Sequence, residues 1–252
     1  MLQSRAGILL GEHKKEMAGR TLALRAHDAG YKSVEAYLDD LARNPLSAEW
    51  ETFVNAFTIN HTAFFREKHH FDILARFLRT RNKPIAIWCS AASTGEEAYT
   101  IAMTVREACP QPDVGVSIWA TDIDTDAVRR ASEGIYPQER AKPVPEEYLR
   151  RYFQRGTGRR AGMVRVKDNL RQLVEFGVFN LLQPDWPAPR SFDVIFCRNT
   201  MIYFDKATQT QILERFAPTL KPGGLLFAGH SENFTYLTDA FRLQGQTVYV
   251  KR

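Results

Sequence analysis

Residues 83–99 read K-P-I-A-I-W-C-S-A-A-S-T-G-E-E-A-Y, which predicts a buried strand, a turn of small side chains and the first turn of a helix. Ile85, Ile87 and Trp88 form the apolar strand, and residues 90–95 carry almost no side chain. Such a turn lets a ligand approach the backbone closely at the edge of a sheet. The stretch therefore predicts an α/β fold with a ligand site here, the alternative being an ordinary strand-to-helix connection.

The two glutamates that follow, Glu96 and Glu97, limit the kind of ligand. The turn lacks the G-x-G-x-x-G pattern of dinucleotide-binding folds, and two carboxylates at a helix start repel a pyrophosphate by like charge. The same carboxylates suit a cation or the hydroxyl groups of a ribose. We therefore expect an adenosine ligand without phosphates, and spacing alone allows either glutamate to face it.

The composition is that of an ordinary globular protein. The chain has 252 residues, of which 44% are hydrophobic and 25% are charged. It has no signal peptide and no apolar run near the length of about 18 residues that indicates a membrane helix, so a cytoplasmic location is expected. The length fits one α/β domain of about 200 residues with a smaller domain attached.

Cysteine and charge content narrow the class further. The three cysteines, Cys89, Cys109 and Cys197, fit neither metal-ligand spacing nor a disulfide framework, so reduced thiols are expected. The net charge of +5 and the pI near 9.1 indicate an acidic partner. Charge alone does not choose between a nucleic acid and an acidic protein.

Residues 1–56 predict a small helical domain. Ser33 can cap a helix that ends at Asn44, and a preceding helix from about residue 12 to residue 29 places Lys14 and Arg25 on one basic stripe. These helices are too short to bury much surface alone, so we expect them to pack on the larger domain. The sequence begins abruptly, with only a few residues before its first apolar run, and we therefore expect that this domain lacks its first helix.

From residue 84 onward, strands alternate with helices, which is the pattern of a parallel sheet. The strand candidates are residues 85–89, 116–120, 173–179, 192–197, 225–229 and 247–250. A Lys-Pro-Gly-Gly sequence predicts a tight turn before the fifth candidate, and the chain ends in a predicted hairpin. Asp205 is predicted to cap the helix between the fourth and fifth strands.

The region between residues 136 and 173 loses the helical period. Two short strand-like runs, residues 151–154 and 163–167, flank the sequence R-G-T-G-R-R-A-G. Runs joined by a glycine-rich turn predict a hairpin. We therefore expect a small, arginine-rich antiparallel insertion at about residues 140–172.

Asp122 ends the second predicted strand, after I-W-A-T. In doubly wound folds, a carboxylate at this place accepts hydrogen bonds from the ribose hydroxyls of an adenosine. Asp122 is therefore predicted to bind the ligand. In the alternative, Asp122, Asp124 and Asp126 only cap the next helix.

The fourth predicted strand leads into C-R-N-T-M-I-Y-F-D, which places Arg198, Asn199 and Tyr203 at its carboxyl end. Ligands of open α/β sheets bind beyond these ends. Together with the Lys-Pro-Gly-Gly sequence and the terminal hairpin, this order of elements is similar to the class I S-adenosylmethionine-dependent methyltransferases. The similarity implies their Rossmann-like, doubly wound sheet with a terminal antiparallel strand.

Residues 55–71 link the helical part to the first strand and mix polar groups with bulky aromatics. Asn60, Thr62 and Arg66 alternate with phenylalanines, which predicts anchored aromatics and polar groups that face a pocket. The alternative is an amphipathic linker helix whose surface carries the histidines His61, His69 and His70. A zinc site is not expected, because no cysteine or suitably spaced second histidine pair joins them.

Several phrases together resemble the CheR family, the bacterial chemoreceptor protein-glutamate O-methyltransferases. They are N-H-T-A-F-F-R-E-K-H-H-F, S-A-A-S-T-G-E-E-A-Y, A-T-D-I-D, R-Y-F-Q-R-G-T-G, F-C-R-N-T-M-I-Y-F-D and G-L-L-F-A-G-H-S-E-N-F. The resemblance covers nearly the whole chain except the first part of the family's helical domain. It implies a helical domain at residues 1–56 and a methyltransferase domain at residues 57–252 with the β insertion.

The resemblance also implies the site residues. The cofactor, S-adenosylmethionine, would be bound by Asn60, Thr62, Arg66, Glu97, Asp122, Asn180, Leu181, Arg198 and Asn199. Arg66 and Tyr203 would lie nearest the transferred methyl group as catalytic residues. The receptor would be bound by Lys14, Arg25, Arg155, Gly156, Gly158, Arg159 and Arg160.

The implied partners are the acidic cytoplasmic helices of methyl-accepting chemotaxis receptors. The insertion resembles the version that binds a tethering peptide at the receptor carboxyl terminus. The product of the cofactor would be S-adenosylhomocysteine. No metal, no nucleic acid partner and no direct membrane insertion are expected, and the protein should be a monomer. Because a glutamate with a pKa of about 4.3 is already ionised at neutral pH, no general base is needed for in-line methyl transfer.

Three rival functions can be weighed against this one. An RNA methyltransferase is compatible with the fold and the basic charge, but R-N-T-M-I-Y lacks the Asn/Asp-Pro-Pro-aromatic sequence expected for amino-group methylation of bases. A non-catalytic adaptor that senses S-adenosylmethionine would not need every polar group of the pocket. A nicotinamide enzyme is the least favoured, because the glycine fingerprint is missing.

Overall fold

A sheet of seven strands forms the centre of the larger part of the molecule. The computed structural model describes residues 1–11, 14–81, 84–110, 115–186 and 191–252. The strands in these residues are β1 (Ile85–Cys89), β2 (Val116–Asp122), β3 (Ile135–Pro137), β4 (Phe153–Arg155), β5 (Met163–Val166), β6 (Val174–Val178), β7 (Phe192–Phe196), β8 (Leu220–Phe227), β9 (Phe241–Gly245) and β10 (Val248–Lys251). The large sheet has the order β6-β2-β1-β7-β8-β10-β9, and β10 runs antiparallel to both neighbours. The predicted α/β class and terminal antiparallel strand are confirmed.

Helices cover both faces of this sheet. The helices in the described residues are α1 (Leu2–Ala6), α2 (Lys15–Asp28), α3 (Val34–Arg43), α4 (Glu49–Asn55), α5 (His69–Thr80), α6 (Glu96–Ala108), α7 (Thr125–Glu133), α8 (Glu146–Tyr152), α9 (Asp168–Arg171) and α10 (Lys206–Thr219). The first four belong to a separate helical core and do not contribute to the cores of the sheet. Leu74 of α5 and Ile101 of α6 share a core with Ile87 of β1. Ile212 of α10 shares the other core with Trp88. Since successive residues of a strand point to opposite faces, β1 contributes to both cores, as in a doubly wound fold.

The Lys-Pro-Gly-Gly sequence lies inside β8 and not in a turn before it. β8 begins at Leu220, and its pairing with β7 shifts register between Phe192 and Val194. Gly223 has a φ of 69°, which other residues rarely adopt. The predicted tight turn was wrong because glycine and proline mark an irregular strand as well as a turn.

The insertion is a three-stranded antiparallel sheet of order β3-β5-β4. The predicted hairpin corresponds to β4 and β5, where Gln154 pairs with Arg165. β3 adds a third strand, in which Tyr136 pairs with Val164, and it lies before the predicted start of the insertion at residue 140. The hairpin prediction missed β3 because three residues are too few to show the alternation of a strand.

The first helices form a core of their own. Tyr37 and Leu41 of α3 pack with Trp50 and Phe53 of α4, and Leu2 of α1 joins them. The Ser33 hydroxyl accepts a hydrogen bond from the Ala36 backbone N–H at 3.2 Å, as the predicted cap requires. The predicted start of the preceding helix at residue 12 lies outside the described residues, and α2 runs from Lys15 to Asp28.

The helical region is tied to the sheet domain through α4 and α7. The Asn55 side chain donates to the Thr125 hydroxyl at 2.8 Å and accepts from the Thr125 backbone N–H at 3.3 Å. Ile123, which follows β2, packs against the helical core. Within the ranges given above, no helix is both long enough and apolar enough to cross a membrane.

Candidate active site

A cleft lies at the carboxyl ends of β1, β2 and β7. It encloses about 960 Å³, open space at its mouth included. Neighbouring strands β1 and β7 lead to helices on opposite faces, so the cleft lies at the switch point where open α/β sheets bind ligands.

The turn after β1 forms the floor of this cleft in a backbone conformation that requires glycine. Gly95 has a φ of 94°, and a Cβ there would lie 2.8 Å from the Ala131 Cβ. Ser93 has a φ of 48°, and its backbone N–H donates to the Asp122 carboxylate at 2.8 Å. The small side chains thus allow α7 to pack closely on one side of this turn, while the other side of the turn borders the cleft.

The two neighbouring glutamates at the start of α6 point in different directions. Glu96 is buried and pairs with Arg140 of the insertion. Glu97 lines the cleft, where its carboxylate lies 2.6 Å from the Arg198 guanidinium and accepts a weak hydrogen bond from the Cys89 thiol. Burial raises the pKa of Glu97, and Arg198 opposes that rise. Only Glu97 of the two can therefore contact a ligand in the cleft.

Asp122 and Asp124 divide the two roles that the sequence left open. Asp124 is buried, caps α7 by accepting from the Ala127 N–H at 2.8 Å, and accepts from the Asn60 amide at 2.7 Å. Asp122 lines the cleft and accepts from the backbone N–H groups of Ser93 and Asp124. Burial raises the pKa of Asp122. Its remaining lone pairs face the cleft, where they can accept from hydroxyl groups.

The segment before α5 is a series of turns and not an amphipathic helix. Phe64 is buried against the rings of Tyr136 and Phe153, with ring centroids 5.1 and 5.6 Å away. The Asn60 amide also accepts from the Ser93 hydroxyl at 2.9 Å. Asn60, Thr62 and Arg66 all line the cleft. The predicted arrangement of anchored aromatics and inward polar groups is therefore observed.

Arg66 has spare donors at the cleft. One guanidinium nitrogen donates to the His61 carbonyl at 2.9 Å. Among the described residues, no carboxylate forms an ion pair with Arg66. Because a guanidinium carries five N–H donors, most of those of Arg66 can bind an anionic ligand.

Arg198 is buried behind Arg66 and connects three parts of the site. It lies 2.6 Å from Glu97 and 3.3 Å from Glu67, and it donates to the Arg66 carbonyl at 2.7 Å. Burial raises the pKa of Glu67, but Arg198 and the hydrogen bonds from His230 outweigh it, so the net pKa lies below its usual value. Arg198 therefore fixes the backbone from which Arg66 extends.

The loop after β7 brings Tyr203 to the same cleft. Asn199 lines it in the left-handed region, with a φ of 58°, and residues 201–203 form one turn of 3₁₀ helix. The Tyr203 carbonyl accepts from the Leu9 N–H at 3.0 Å, and the Lys14 ammonium lies 5.7 Å from the Tyr203 ring centroid. Arg66 and Tyr203, the predicted catalytic pair, thus border one cleft.

Asn180 and Leu181 border a smaller cavity that adjoins the cleft and shares Asp122 and Thr200 with it. The Asn180 amide donates to the Arg5 carbonyl at 2.7 Å. All residues predicted to bind the cofactor therefore surround these two adjoining cavities.

One wall of the cleft was not predicted from the sequence. It consists of apolar residues of the amino-terminal region: Ala6, Ile8, Leu9, Leu10 and Met17. Aliphatic residues in a helical region are typical of a core, so their sequence carried no signal of a ligand site.

The residues predicted to bind a receptor lie in different surroundings. Lys14 borders the cleft, whereas Arg25 lies 2.5 Å from Glu49 with a side chain only 19% exposed. Arg25 is thus paired inside the helical region and, unlike Lys14, does not border the cleft, and its receptor-binding role stays a prediction. The three arginines among the insertion residues that were predicted to bind the receptor are exposed. These insertion residues all lie at the tip of the insertion: Arg155, Gly156, Gly158, Arg159 and Arg160.

A cluster of possible metal ligands lies behind the cleft. Glu67, His69 and His70 place donor atoms within 4.8 Å of one another. His70 is fully buried and not a surface residue; its Nε2 lies 2.8 Å from the Gln246 carbonyl and donates to it. Because Arg198 already neutralises Glu67, a metal ion here would meet a neighbouring positive charge. The absence of a metal stays a prediction.

Comparison with known proteins places this site in a family. Residues 60–250 match the family described as CheR methyltransferase, SAM binding domain, and residues 1–58 match CheR methyltransferase, all-alpha domain. SAM denotes S-adenosylmethionine. Both matches are consistent with a cleft built from polar groups at the carboxyl ends of the strands.

Relatives match along almost the whole chain. A chemotaxis protein methyltransferase of Klebsiella aerogenes is 50% identical over 249 residues, which are 99% of this chain and 86% of that protein. The chemotaxis protein methyltransferase of Escherichia coli is 48% identical, with 99% of this chain and 87% of that protein covered. Chemotaxis protein methyltransferase 2 of Pseudomonas aeruginosa is 49% identical, with 96% and 87% covered. The chain belongs to the CheR methyltransferase family.

Proposed function

We propose that the protein transfers the methyl group of S-adenosylmethionine to glutamate side chains of bacterial chemoreceptors, forming methyl esters. The observation that carries the proposal is the placement of Arg66 and Tyr203 on one cleft beside Glu97 and Asp122. The names of the relatives support the receptor as substrate. The ionised state of a free glutamate supports its carboxylate as the nucleophile.

The residues of the cleft fit the cofactor. Asp122 has free acceptor positions for ribose hydroxyls, and Glu97 offers a second acceptor beside Arg198. Asn199 and Thr62 add polar groups without net charge. When bound, S-adenosylmethionine supplies a methyl group on a positively charged sulfur, which two cleft carboxylates tolerate better than they would a pyrophosphate.

Arg66 and Tyr203 act by positioning. The Arg66 guanidinium orients the receptor carboxylate through its planar fork, and the Tyr203 hydroxyl donates to the same carboxylate. Neither residue has to remove a proton, because the carboxylate is ionised already. Holding both reactants in line contributes about 7–11 kcal/mol in well-oriented intramolecular reactions.

Receptor binding uses two surfaces in this proposal. Lys14 at the mouth of the cleft attracts the acidic methylation helix, and Arg155, Arg159 and Arg160 at the tip of the insertion bind a carboxyl-terminal receptor peptide. The protein acts in the cytoplasm as a monomer, without nucleic acid, metal or membrane insertion. Sedimentation with and without receptor fragments tests the monomer.

A labelled-methyl transfer assay with receptor-containing membranes tests the reaction. Wild type should transfer label that mild alkali releases as methanol, since carboxyl methyl esters are hydrolysed under these conditions. Arg66→Ala should lower kcat by about 100-fold even at saturating cofactor. Arg129→Ala is the control, because Arg129 is an exposed arginine that pairs with Asp126 and Glu133 and does not line the cleft.

The other outcomes identify the rivals. Alkali-stable label on RNA would indicate an RNA methyltransferase. Binding of cofactor and receptor without transfer would indicate a non-catalytic adaptor. If Arg66→Ala lost only cofactor affinity and kept turnover at saturation, the orienting role of Arg66 would be wrong.

Calorimetry with receptor carboxyl-terminal peptides tests the tether. Replacing Arg159 and Arg160 with alanine should remove the binding heat, because two of the three cations proposed to bind the peptide are lost. Both side chains are exposed, and neither forms a hydrogen bond or ion pair within the described residues, so the insertion should stay folded. Replacing Lys142 and Arg150 with alanine is the matched loss of two positive charges, because both side chains are exposed and lie away from the tip. Equal loss in both proteins would show an unspecific charge effect.

A further inference from the structure

The sequence G-H-S-E at residues 229–232 follows β8 and contains a buried carboxylate that does not border the cleft. Glu232 is 5% exposed. Its carboxylate accepts backbone N–H bonds from Gly229 at 2.6 Å, Asn199 at 3.0 Å and Met201 at 2.8 Å. The side chain thus joins the loop after β8 to the loop after β7.

These bonds hold the β7 loop in a conformation that it would not adopt alone. Asn199 has a φ of 58°, a region that costs free energy for a residue with a side chain. A Cβ at Gly229 would collide with the Asn199 amide, so the two loops pack backbone to side chain. The N–H groups of Asn199 and Met201 flank Thr200, which lines the cleft, and Tyr203 follows within the same turn.

The same β8 loop also contacts the segment that carries Arg66. The Glu67 carboxylate accepts from the His230 backbone N–H at 3.3 Å and lies 3.2 Å from the His230 ring nitrogen. Glu67 has a φ of 55° and pairs with Arg198, which binds the Arg66 carbonyl. Residues 229–232 therefore connect the segments that present Arg66 and Tyr203.

We propose that Glu232 is a positioning residue for methyl transfer, whose carboxylate sets the placement of Asn199 and Tyr203 relative to Arg66. This proposal rests on the function proposed above. Glu232 itself touches neither reactant, because its carboxylate is taken up by three backbone donors and does not line the cleft. Glutamate is needed for the number of acceptors, since an amide side chain would set its own N–H donors against one of the three backbone donors.

Glu232→Gln tests the proposal in the full-length protein. Asp193→Asn is the matched control, because the Asp193 carboxylate also joins separate parts of the chain. It links β7 to its two neighbouring strands by accepting from the Ala86 N–H at 2.9 Å and from the Lys221 ammonium at 2.8 Å. These bonds lie at the end of the sheet opposite to the cleft. For each protein we would measure thermal unfolding, S-adenosylhomocysteine affinity by calorimetry, and kcat and KM for receptor methylation, all well below the unfolding temperature.

Glu232→Gln should lower kcat by roughly 10- to 100-fold, as expected for a misplacement of about 1 Å, while KM for receptor changes less than about threefold. S-adenosylhomocysteine affinity should fall as well, because Asn199 lines the cleft. Asp193→Asn should lower only the unfolding temperature. If Glu232→Gln behaved like Asp193→Asn, with both kcat and affinity unchanged, Glu232 would be a structural tie only and the proposal would be overturned.

The affinity measurement keeps the two proposals separate. If wild type formed no alkali-labile methyl ester, the proposed function would fail, and the effect of Glu232→Gln on S-adenosylhomocysteine affinity would still decide whether Glu232 positions the β7 loop. An unchanged affinity in that case would also overturn the proposal.

Discussion

At the scale of single residues, neighbouring acids of the same type perform different tasks. Glu96 and Glu97 are adjacent in sequence, but a helix turns about 100° per residue, so one meets the insertion and the other meets the cleft. Asp122 ends a strand and Asp124 begins a helix. Position relative to the element, more than residue type, decides which carboxylate is available to a ligand.

The pair of aspartates gives a prediction that separates binding from folding. Asp122→Asn should weaken S-adenosylmethionine binding about tenfold or more, because hydrogen bonds to a charged acceptor are lost. It should lower the free energy of unfolding less than Asp124→Ala does, since only one of the two backbone donors, Ser93 or Asp124, loses its acceptor. Asp124→Ala should lower the free energy of unfolding by more than the roughly 1–2 kcal/mol of a lost helix cap, because the hydrogen bonds from Thr58 and Asn60 to this buried carboxylate are lost as well. Calorimetry and urea unfolding measure the two quantities, and the reverse pattern would contradict the assignment.

His70 predicts a dependence of stability on pH. Burial lowers its pKa from 6.5 to about 4, with Glu67, His69 and Arg198 facing it. The unfolded chain therefore binds a proton at a higher pH than the folded protein does. The free energy of unfolding should therefore show no effect of His70 above pH 6.5. It should fall as the pH drops from 6.5 towards 4, by at most about 3 kcal/mol, because only the unfolded chain is protonated at His70 in this range.

Comparison of two variants isolates this effect. His70→Gln keeps a donor for the Gln246 carbonyl and cannot gain a proton, so its unfolding free energy should depend less on pH than that of wild type over this window. His27→Gln changes an exposed histidine and should leave the dependence as it is. Parallel curves for wild type and His70→Gln would show that His70 does not titrate in this way.

At the scale of elements, the turn between β1 and α6 is tightly constrained. Gly95→Ala should destabilise the protein by about 1–3 kcal/mol, because a φ of 94° is strained for alanine and its Cβ would meet Ala131 and Tyr136. Gly19→Ala is the control, since this glycine lies exposed in α2 with open space around it and should stabilise by about 1 kcal/mol. Urea unfolding measures both changes, and equal effects would argue against a strained turn.

Elements were predicted well where several signals agreed. The strand of residues 85–89 had an apolar run, a preceding proline and a following small-residue turn, and β1 has those bounds. The helix after Asp205 had a cap and a helical period, and the Asp205 carboxylate accepts from the Thr208 N–H at 2.8 Å. β3 and the irregular start of β8 were missed because three residues, or a glycine pair, carry too little periodicity.

The site was only partly readable from sequence for a different reason. The polar groups after β1, β2 and β7 could be placed because parallel strands end at one edge of a sheet. The pairing of Arg25 with Glu49 and the apolar wall at Leu9 and Leu10 depend on how α2 and α4 pack, which local sequence does not state. The family resemblance named the residues but not their partners.

At the scale of the whole molecule, charge should govern the encounter with the receptor. A net charge of +5, with Lys14 at the cleft mouth, favours an acidic partner. Raising salt from about 50 mM to about 500 mM should raise KM for receptor several-fold and leave S-adenosylhomocysteine affinity nearly constant, since screening acts on exposed charges over long range. If KM for receptor did not change with salt concentration, apolar contacts and not charge would govern receptor binding.

The wall that the amino-terminal region contributes to the cleft has a kinetic consequence. The Leu9 N–H donates to the Tyr203 carbonyl, and the Arg5 carbonyl accepts from the Asn180 amide, so hydrogen bonds hold this amino-terminal wall against the loops that follow β7 and β6. We expect spent cofactor to leave faster when these contacts loosen, so that product exchange is the slow step of the cycle. The steady-state turnover rate should then fall as solvent viscosity rises, whereas the rate of methyl transfer in a single-turnover experiment should not change.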